Sequence, residues 1–247
     1  MTIYSDYDPF ARAYNRHWGN NFIPLVFPML ENYILKNLPE GANILDLCCG
    51  TGQLARLLTN RGYRVTGIDG SEKMLEFARG NAPEAEFINA DARSFQQPDI
   101  YQAVISTFDS LNHVLTIEEL TSVFRNVNNA LRRDGLFFFD LNMDAGFKSG
   151  WSSSFDIVEE DNVCVFRSSY SPEERTAHFD ATIFYLDKGW QRTDISLVQK
   201  CYPEEEVTAA LGDAAFTNVR SYAADINSSL TELTEDAERA FFLCRKS

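Results

Sequence analysis

One stretch, residues 44–55 (Ile-Leu-Asp-Leu-Cys-Cys-Gly-Thr-Gly-Gln-Leu-Ala), most constrains how this 247-residue chain can fold. A short apolar run ends in an acid, passes through a turn that contains Gly50 and Gly52, and continues with leucines at helical spacing. This pattern predicts a strand, a tight loop and a helix. Glycine lets a backbone approach a ligand closely, and the first turn of the next helix presents unpaired N–H groups at the same place. The stretch therefore predicts a binding site for a small molecule.

Length and charge restrict the class of protein. A chain of this length suits one α/β domain with an elaboration, because such a domain buries about 70–75% of the surface of its unfolded chain. Its 36 acidic and 22 basic residues give a net charge of −14, which repels nucleic acids and anionic membranes. The N-terminus has no basic region, and two prolines interrupt the most apolar early stretch, residues 22–30. We predict a cytoplasmic protein without nucleic-acid or membrane partners, as a monomer or homodimer.

The five cysteines give no sign of disulfide or metal chemistry. Their number is odd, and no two of them form a C-x-x-C pair. Cys48 and Cys49 are adjacent beside the glycine turn, but no other cysteine or histidine stands at a spacing that would complete a metal site. We therefore predict reduced thiols and no metal.

Strand and helix patterns alternate through the first half of the chain and change after residue 150. Early strands separated by helical patterns predict a doubly wound, mostly parallel sheet. Four later segments without helical period predict an antiparallel meander, which we interpret as an insertion and not an independent domain. A helix from Pro203 and two last strands complete the main sheet. The predicted strands of the main sheet are 44–47, 63–69, 85–91, 101–107, 136–142, 219–224 and 239–245, and those of the meander are 155–160, 163–170, 176–186 and 191–200.

This organisation gives a predicted α/β fold class, with a doubly wound, mostly parallel seven-stranded sheet and an antiparallel β insertion as a lid. The predicted domain bounds are 1–142 with 201–247 for the main domain, and 143–200 for the lid. Residues 1–38 form a helical N-terminal cap in this division.

The N-terminal region has an aromatic periodicity. Aromatic residues recur at spacings of three or four, so they share one helix face: Tyr4, Tyr7, Phe10, Tyr14 and Trp18. One interpretation is a helix packed on the edge of the domain, and the other is a cap over the ligand, since tyrosine suits a site wall. Arg16 and His17 are expected on the solvated face.

Three successive predicted strands end in an acid, namely Asp46, Asp69 and Asp91. The carboxyl ends of parallel strands converge on one crevice, so we expect these carboxylates at the same edge of the sheet as the glycine turn. Asp69, 17 residues after Gly52, is placed to accept both hydroxyls of a ribose. The alternative for Asp69 and Asp91 is a role in a turn or a helix cap.

Residues 107–113 (Thr-Phe-Asp-Ser-Leu-Asn-His) bring a carboxylate, an amide and an imidazole to the same edge. His113 is the candidate base, because an unperturbed histidine pKa of about 6.5 suits proton transfer near neutral pH. Its alternative is a hydrogen bond to a loop carbonyl. Asp109 and Asn112 are candidates to hold a substrate, and Asp109 alternatively caps the turn.

Three motifs in order resemble the class I S-adenosylmethionine-dependent methyltransferases, whose fold is Rossmann-like. They are residues 45–52 (Leu-Asp-Leu-Cys-Cys-Gly-Thr-Gly), 67–75 (Gly-Ile-Asp-Gly-Ser-Glu-Lys-Met-Leu) and 89–92 (Asn-Ala-Asp-Ala). One glycine motif also fits dinucleotide enzymes, whereas three motifs at this spacing are specific. The sequence departs from the family at Cys48, where glycine is common, and at residues 101–102 (Tyr-Gln), where Phe-Asp is usual.

The resemblance implies S-adenosylmethionine as cofactor, with S-adenosylhomocysteine as product, and assigns the residues that bind it. It implies that the glycine turn holds the methionine part, Asp46 faces its ammonium, and Asp69 binds the ribose. By the same resemblance, Asp91 and Ala92 bind the adenine amino group and Met74 lies against the adenine ring. The other cofactor contacts that we predict are Tyr14, Cys48, Gly70 and Thr107.

The insertion resembles the lids of small-molecule methyltransferases, above all the amino-sugar N-methyltransferases, in which a segment like 107–113 carries a site histidine that corresponds to His113. The Asn/Asp-Pro-Pro-Tyr motif of nucleic-acid methyltransferases is absent from the sequence. We therefore predict methyl transfer to a small-molecule amine or hydroxyl. The alternatives are a dinucleotide-dependent oxidoreductase and a protein that binds S-adenosylmethionine without turnover.

Overall fold

The computed structural model describes residues 6–225 and 227–247, and these residues form two β-sheets flanked by helices. The strands are β1 (Asn43–Leu47), β2 (Arg64–Asp69), β3 (Glu86–Asn89), β4 (Tyr101–Ser106), β5 (Leu131–Asn142), β6 (Ser154–Val158), β7 (Asn162–Ser171), β8 (Thr176–Leu186), β9 (Trp190–Lys200), β10 (Phe216–Ala224), β11 (Leu230–Glu232) and β12 (Arg239–Lys246). The α-helices are α1 (Ala11–His17), α2 (Ile23–Met29), α3 (Gln53–Asn60), α4 (Glu72–Asn81), α5 (Ile117–Ala130), α6 (Asp144–Gly150) and α7 (Glu204–Asp213).

The larger sheet has the strand order β11-β10-β12-β5-β4-β1-β2-β3. Strands β1 to β5 pair in parallel, while β12, β10 and β11 are antiparallel to their neighbours. This confirms the predicted doubly wound sheet of seven strands and adds the short edge strand β11, which the sequence pattern does not predict. The chain order reverses between β1 and β4, so the crevice at their carboxyl ends is the expected ligand site.

Close packing of α3 on α4 explains one glycine of the turn. Gly52 has a φ of +81°, and a β-carbon there would lie 3.0 Å from both Cα and Cβ of Ala78 in α4. Any side chain would therefore push the two helices apart and strain the backbone. Gly52 is needed for the fold beside the site.

The N-terminal segment (residues 6–38) forms several short helical pieces. A turn at Asp8–Phe10 leads into α1, and α2 continues through a wider turn at Leu30–Ile34 and a tighter one at Leu35–Asn37. Tyr4 lies outside the described residues. The predicted aromatic face exists from Tyr7 onward, and it packs against the smaller sheet, where Phe10 and Trp18 both contact the ring of Phe166.

Of the two residues expected on the solvated face, Arg16 is exposed, as predicted, and His17 is half-buried, and both make contacts there. Arg16 pairs with Glu159 at 2.5 Å and with Asp161 at 3.0 Å. His17 lies with Nε2 2.9 Å from Oδ1 of Asn162. These contacts join α1 to the β6–β7 turn, and local periodicity could not reveal a partner 145 residues away.

The smaller sheet has the strand order β6-β7-β8-β9 and is antiparallel throughout, as predicted. Helix α6, which the sequence pattern does not predict, connects it to β5. None of the described helices has both the length and the apolar character that a membrane span requires.

Candidate active site

A pocket of about 760 Å³, including its open mouth, lies at the carboxyl edge of β1, β2 and β4, under the N-terminal segment. Nine of the fourteen predicted site residues line it: Tyr14, Cys48, Gly50, Asp69, Gly70, Met74, Asp91, Ala92 and His113. The pocket is also lined by Tyr7, Arg93, Phe108, Ser110 and Val114. Because Tyr7 and Tyr14 form part of its wall, the structure favours the interpretation of the N-terminal segment as a cap.

Asp69 closes the glycine turn against the second strand. Its Oδ2 accepts a hydrogen bond from the Gly50 backbone N–H at 2.8 Å, and its Oδ1 accepts one from the Ser71 N–H at 2.9 Å. Burial raises the pKa of Asp69 to about 6, although both N–H donors favour the charged form. The two N–H groups therefore fix the position of the carboxylate. A ligand that donates further hydrogen bonds to it, as ribose hydroxyls do, would stabilise its charged form.

Asp46 is buried, with 3% of its surface exposed, and its Oδ2 accepts no hydrogen bond from any residue that the structure describes. Burial, and then the negative charge of Asp69, raise its pKa to about 7. A buried acceptor without a donor costs free energy unless a ligand or water supplies one. The site therefore fits a ligand with a cationic donor, such as the ammonium of S-adenosylmethionine.

The carboxylate of Asp91 is engaged by its own neighbour. Arg93 donates to Oδ1 through its backbone N–H at 2.8 Å and its Nε at 2.9 Å, and to Oδ2 through its guanidinium at 2.6 Å. Arg93 also pairs with Glu119 at 3.0 Å. Met74 and Ala92 lie in the same part of the pocket wall. This end offers an apolar face with an ordered acid–guanidinium pair.

The backbone after β4 is held in an unusual conformation by Asp140. Phe108 and Asp109 are consecutive left-handed residues, with φ values of 67° and 50°. Such angles cost free energy for residues other than glycine. Asp140, fully buried at the end of β5, compensates by accepting hydrogen bonds from the N–H of Phe108 at 2.7 Å and of Asp109 at 2.9 Å.

Arg239 in β12 completes this arrangement from the far end of the chain. Its guanidinium donates to Asp140 and, at 2.8 Å, to Asp109. It also lies 4.7 Å from the ring of Phe22, which stacks on Phe108 with centroids 4.9 Å apart. Asp109 is therefore committed to Arg239, and its Oδ2 also accepts from Gln199 at 2.7 Å.

His113 is fixed in one tautomer. Its Nδ1 lies 2.9 Å from the backbone oxygen of Val198, which can only accept, so Nδ1 carries the proton. In the neutral ring Nε2 is then an acceptor, and it faces the Tyr7 hydroxyl at 2.9 Å and Nε2 of Gln199 at 3.2 Å. Burial lowers the pKa of His113, so the ring is neutral at pH 7. The alternative for His113, a hydrogen bond to a backbone oxygen, is present, although Val198 belongs to strand β9 and not to a loop. The role of His113 as a base stays a prediction.

Five predicted residues do not line the pocket: Asp46, Gly52, Thr107, Asp109 and Asn112. Asp46 lies behind the glycine turn. Asn112 is fully buried, and its amide bonds the backbone oxygens of Asn142 and Lys200 and the N–H of Asn142. Its amide is therefore used to join β5 to β9, which corrects the expectation that it holds a substrate.

The lining residues that the prediction missed differ in how visible they are in the sequence. Phe108 and Ser110 belong to the predicted segment 107–113, and Tyr7 belongs to the aromatic periodicity. No local pattern marks Arg93 or Val114, which reach the pocket only through the packing of the loops after β3 and β4.

The glycine turn, the strand-end acids and the strand order together define a doubly wound domain that binds a nucleoside-type ligand at its switch point. A family model for a methyltransferase domain matches residues 44–135. The YqeM protein of Bacillus subtilis, whose name classes it as a methyltransferase, is 31% identical over 247 residues, 98% of this chain and 97% of that protein.

Two further similarities agree with this. An N,N-dimethyltransferase of Streptomyces venezuelae, named for dTDP-3-amino-3,4,6-trideoxy-alpha-D-glucopyranose, is 30% identical over 149 residues, 60% of this chain and 62% of that enzyme. The structure of an S-adenosylmethionine-dependent methyltransferase from Clostridium acetobutylicum superposes with a TM-score of 0.79 at 20% identity, and covers 97% of this chain and 98% of that one.

The chain belongs to the S-adenosylmethionine-dependent methyltransferase family. Its cofactor is S-adenosylmethionine, and the enzyme class is the one that the three sequence motifs predict. Membership of this family excludes the alternative of a dinucleotide-dependent oxidoreductase, which a single glycine turn would also allow.

Proposed function

We propose that this enzyme methylates the amine nitrogen of a small molecule. The observation that carries the proposal is the neutral His113, which lines the pocket and whose Nε2 accepts a hydrogen bond from the hydroxyl of Tyr7, another lining residue. An amine is an ammonium near neutral pH, so it needs a proton acceptor before it can attack. The name of the Streptomyces relative supports an amine, and the net charge of −14 favours a small acceptor over nucleic acid.

We propose which residues would hold the cofactor, and their places in and beside the pocket support the assignment. Asp46 would receive the ammonium, Gly50 and Cys48 would border the methionine part, and Asp69 would receive the ribose hydroxyls. Met74, Ala92 and the Asp91–Arg93 pair would border the adenine. When bound, S-adenosylmethionine supplies an activated methyl group, so positioning of the nucleophile contributes much of the catalysis, roughly 7–11 kcal/mol in favourable cases.

His113 would take the proton of the incoming ammonium at Nε2. In the structure that atom accepts from the Tyr7 hydroxyl, so an entering ammonium replaces Tyr7 as the donor. The bond from Nδ1 to Val198 keeps the ring oriented while this happens. The free amine then lies where Tyr14, Phe108 and Ser110 border the pocket, in position for attack on the methyl group.

The division into domains fits this mechanism. We propose that residues 1–142 and 201–247 form the cofactor domain and that residues 143–200 act as a lid. The smaller sheet contributes Val198 and Gln199 to the environment of His113, and it packs against the N-terminal segment. Together they exclude water from the reacting atoms.

Cofactor binding and turnover can be tested separately. We expect the protein to bind S-adenosylmethionine by calorimetry and to transfer label from it to members of a panel of amines. Asp69→Ala should weaken cofactor binding by about tenfold to a hundredfold, because a charged acceptor of two hydrogen bonds is lost. Asp99→Ala, an exposed acid before β4, is the control.

Each outcome has a distinct meaning. Unchanged affinity in Asp69→Ala contradicts the assignment of the ribose site. Binding without transfer to any amine, phenol or alcohol favours the alternative of a non-catalytic cofactor-binding protein.

A further inference from the structure

We propose that the acceptor is an amine without a phosphate group, recognised by aromatic rings and not by cations. This rests on the proposed function and narrows the substrate class at the same site. The Streptomyces relative is named for a sugar linked to dTDP, which carries a diphosphate. The charges and rings around this pocket favour an amine that carries no phosphate.

Four rings line the same pocket as the acids. They belong to Tyr7, Tyr14, Phe108 and His113. Tyr7 meets Tyr14 edge-on, with centroids 6.3 Å apart and planes at 82°, and it meets His113 at 5.3 Å and 88°. Tyr14 and Phe108 are 6.3 Å apart at 47°. Rings set at such angles present several faces to one volume, an arrangement that attracts an ammonium through cation–π interactions.

The charged groups of the pocket wall would repel a phosphate. Asp69 and Asp91 both line it. The cation that lines it, Arg93, donates to Asp91 through two guanidinium nitrogens and to Glu119 through the third. Recognition of a diphosphate normally uses arginine or lysine with donors to spare. Three of the five N–H groups of the Arg93 side chain donate to acids, so the charge of Arg93 is balanced by Asp91 and Glu119.

The nearest cations outside the wall are also committed. Arg239 is held between Asp109 and Asp140, and Lys200 donates to the backbone oxygen of Glu174 at 2.6 Å. Arg167 alternates with the buried Phe166 along β7, so it lies on the face of the smaller sheet away from the N-terminal segment. Further cations of the N-terminal segment and smaller sheet are in ion pairs: Arg16 with Glu159 and Asp161, Lys148 with Asp144, Arg175 with Glu206, and Arg192 with Asp194.

Two other groups of residues supply no further cation near the pocket. Lys188 is in the β8–β9 turn, ten residues before Val198, which is roughly 30 Å along an extended strand. Residues 1–5 and 226, which the structure does not describe, contain no lysine or arginine. Arg93 is therefore the one arginine or lysine among the residues that line the pocket, and its charge is balanced by two acids. Arg12 of the N-terminal segment lies over the ring of Tyr185, at 4.3 Å from the ring centroid, and is not among the lining residues.

Matched acceptors test the proposal. The probes are tyramine with its O-phosphate, and glucosamine with glucosamine 6-phosphate and UDP-glucosamine. Binding to the protein saturated with S-adenosylhomocysteine is measured by calorimetry, and methyl transfer from labelled S-adenosylmethionine is measured in parallel. We expect at least one free amine to bind and react, with kcat/KM about tenfold or more above that of its phosphorylated partner.

A pair of variants separates the ring from its hydroxyl. Tyr7→Leu removes the ring face and should weaken binding of the reactive amine by about three- to thirtyfold. Tyr7→Phe keeps the ring and should restore most of that affinity. Equal loss in both variants contradicts recognition by the ring.

Two results would overturn the proposal. They are a phosphorylated probe that binds or reacts better than its free amine, and equal loss of affinity in the two Tyr7 variants. Failure of every probe to react, or failure of S-adenosylmethionine to bind, would instead contradict the function proposed above, so the two kinds of failure are distinguishable.

Discussion

Burial of the Asp46 carboxylate lowers the stability of the ligand-free protein and favours the binding of a cationic ligand. The group lies among apolar residues behind the glycine turn, and its pKa is raised to about 7 by burial and by Asp69. The unfolded chain ionises the same group near its ordinary value of about 3.9. The folded protein without ligand therefore pays for the negative charge at neutral pH, and a cationic ligand removes that cost.

Asp46→Asn should stabilise the ligand-free protein at pH 8. Because the folded pKa is raised, the unfavourable contribution of Asp46 is absent below about pH 4, grows as the pH rises, and is complete above about pH 7. We expect a gain of about 1–3 kcal/mol at pH 8 that vanishes near pH 4. Chemical denaturation at both pH values measures it, with the exposed Asp156→Asn as control. The same variant should lose most of its affinity for S-adenosylmethionine, and equal stability of variant and wild type at pH 8 would contradict the argument.

Individual site residues were predictable where local pattern fixes their position. Asp46 and Asp69 end strands, so the alternation of apolar and polar residues was enough to place them at one edge. The contacts of Tyr7 with His113 and of Arg239 with Asp109 were not predictable, because they span 106 and 130 residues of chain. No sequence periodicity encodes such contacts, which depend on how whole elements pack.

Among the elements, the N-terminal segment is attached to the start of α4 through the acid Asp8. Asp8 accepts hydrogen bonds at Oδ1 from the Ser71 hydroxyl at 2.5 Å and from the Lys73 N–H at 3.2 Å, at the start of α4. Ser71 in turn caps that helix by accepting from the N–H of Met74 at 3.1 Å. The segment is thus tied to the same turn that positions Asp69.

Asp8→Ala should therefore loosen the N-terminal segment without unfolding the sheet. We expect the dissociation rate of S-adenosylmethionine to rise by about three- to tenfold, since a partly exposed charge-assisted hydrogen bond contributes about 1 kcal/mol. Stopped-flow fluorescence follows the rate. Asp8→Asn keeps the Oδ1 acceptor and should lie much closer to wild type. If the two variants release the cofactor equally fast, Asp8 does not act through these bonds.

Strand β12 is joined to the active-site loop by Arg239, whose partners are the buried Asp140 and Asp109. Removing one partner from a buried ionic group leaves uncompensated charge, which is costly. Arg239→Gln should reduce the free energy of unfolding by about 2–4 kcal/mol, and a second change, Asp109→Asn, should recover part of it. Urea denaturation measures both. Arg245→Gln in the same strand, whose guanidinium donates to a backbone oxygen, is the control and should cost less than about 1 kcal/mol.

At the scale of the whole molecule, the sequence predicted the doubly wound, mostly parallel sheet and the separate antiparallel meander, but not how the N-terminal segment and the smaller sheet pack over the pocket. Strand and helix patterns are local and repeat over many residues. The seven strands of the main sheet and the four of the meander could therefore be predicted from them. Helix α6 and the short edge strand β11 were missed because seven and three residues are too few to show a period. The sequence allowed two interpretations of the aromatic N-terminal segment, a helix at the edge of the domain and a cap over the ligand. Aromatic residues are equally suited to a core and to the wall of a site.

Cofactor binding should be linked to proton release, because the pKa values of two carboxyl groups at the cofactor site are raised and the ligand is a cation. Asp46 and Asp69 have pKa values of about 7 and about 6 in the ligand-free protein, so both are partly protonated in mild acid and must lose those protons to bind S-adenosylmethionine. We expect the dissociation constant to be nearly constant above pH 8 and to rise by about ten- to hundredfold by pH 5.5. Calorimetry at pH 6.5 in buffers of different ionisation enthalpy should show net proton release. In Asp46→Asn the pH dependence should shrink and its midpoint should move toward pH 6, the value for Asp69 alone. Affinity that is independent of pH between 5.5 and 8 would show that the two carboxyl groups do not share the ligand's positive charge.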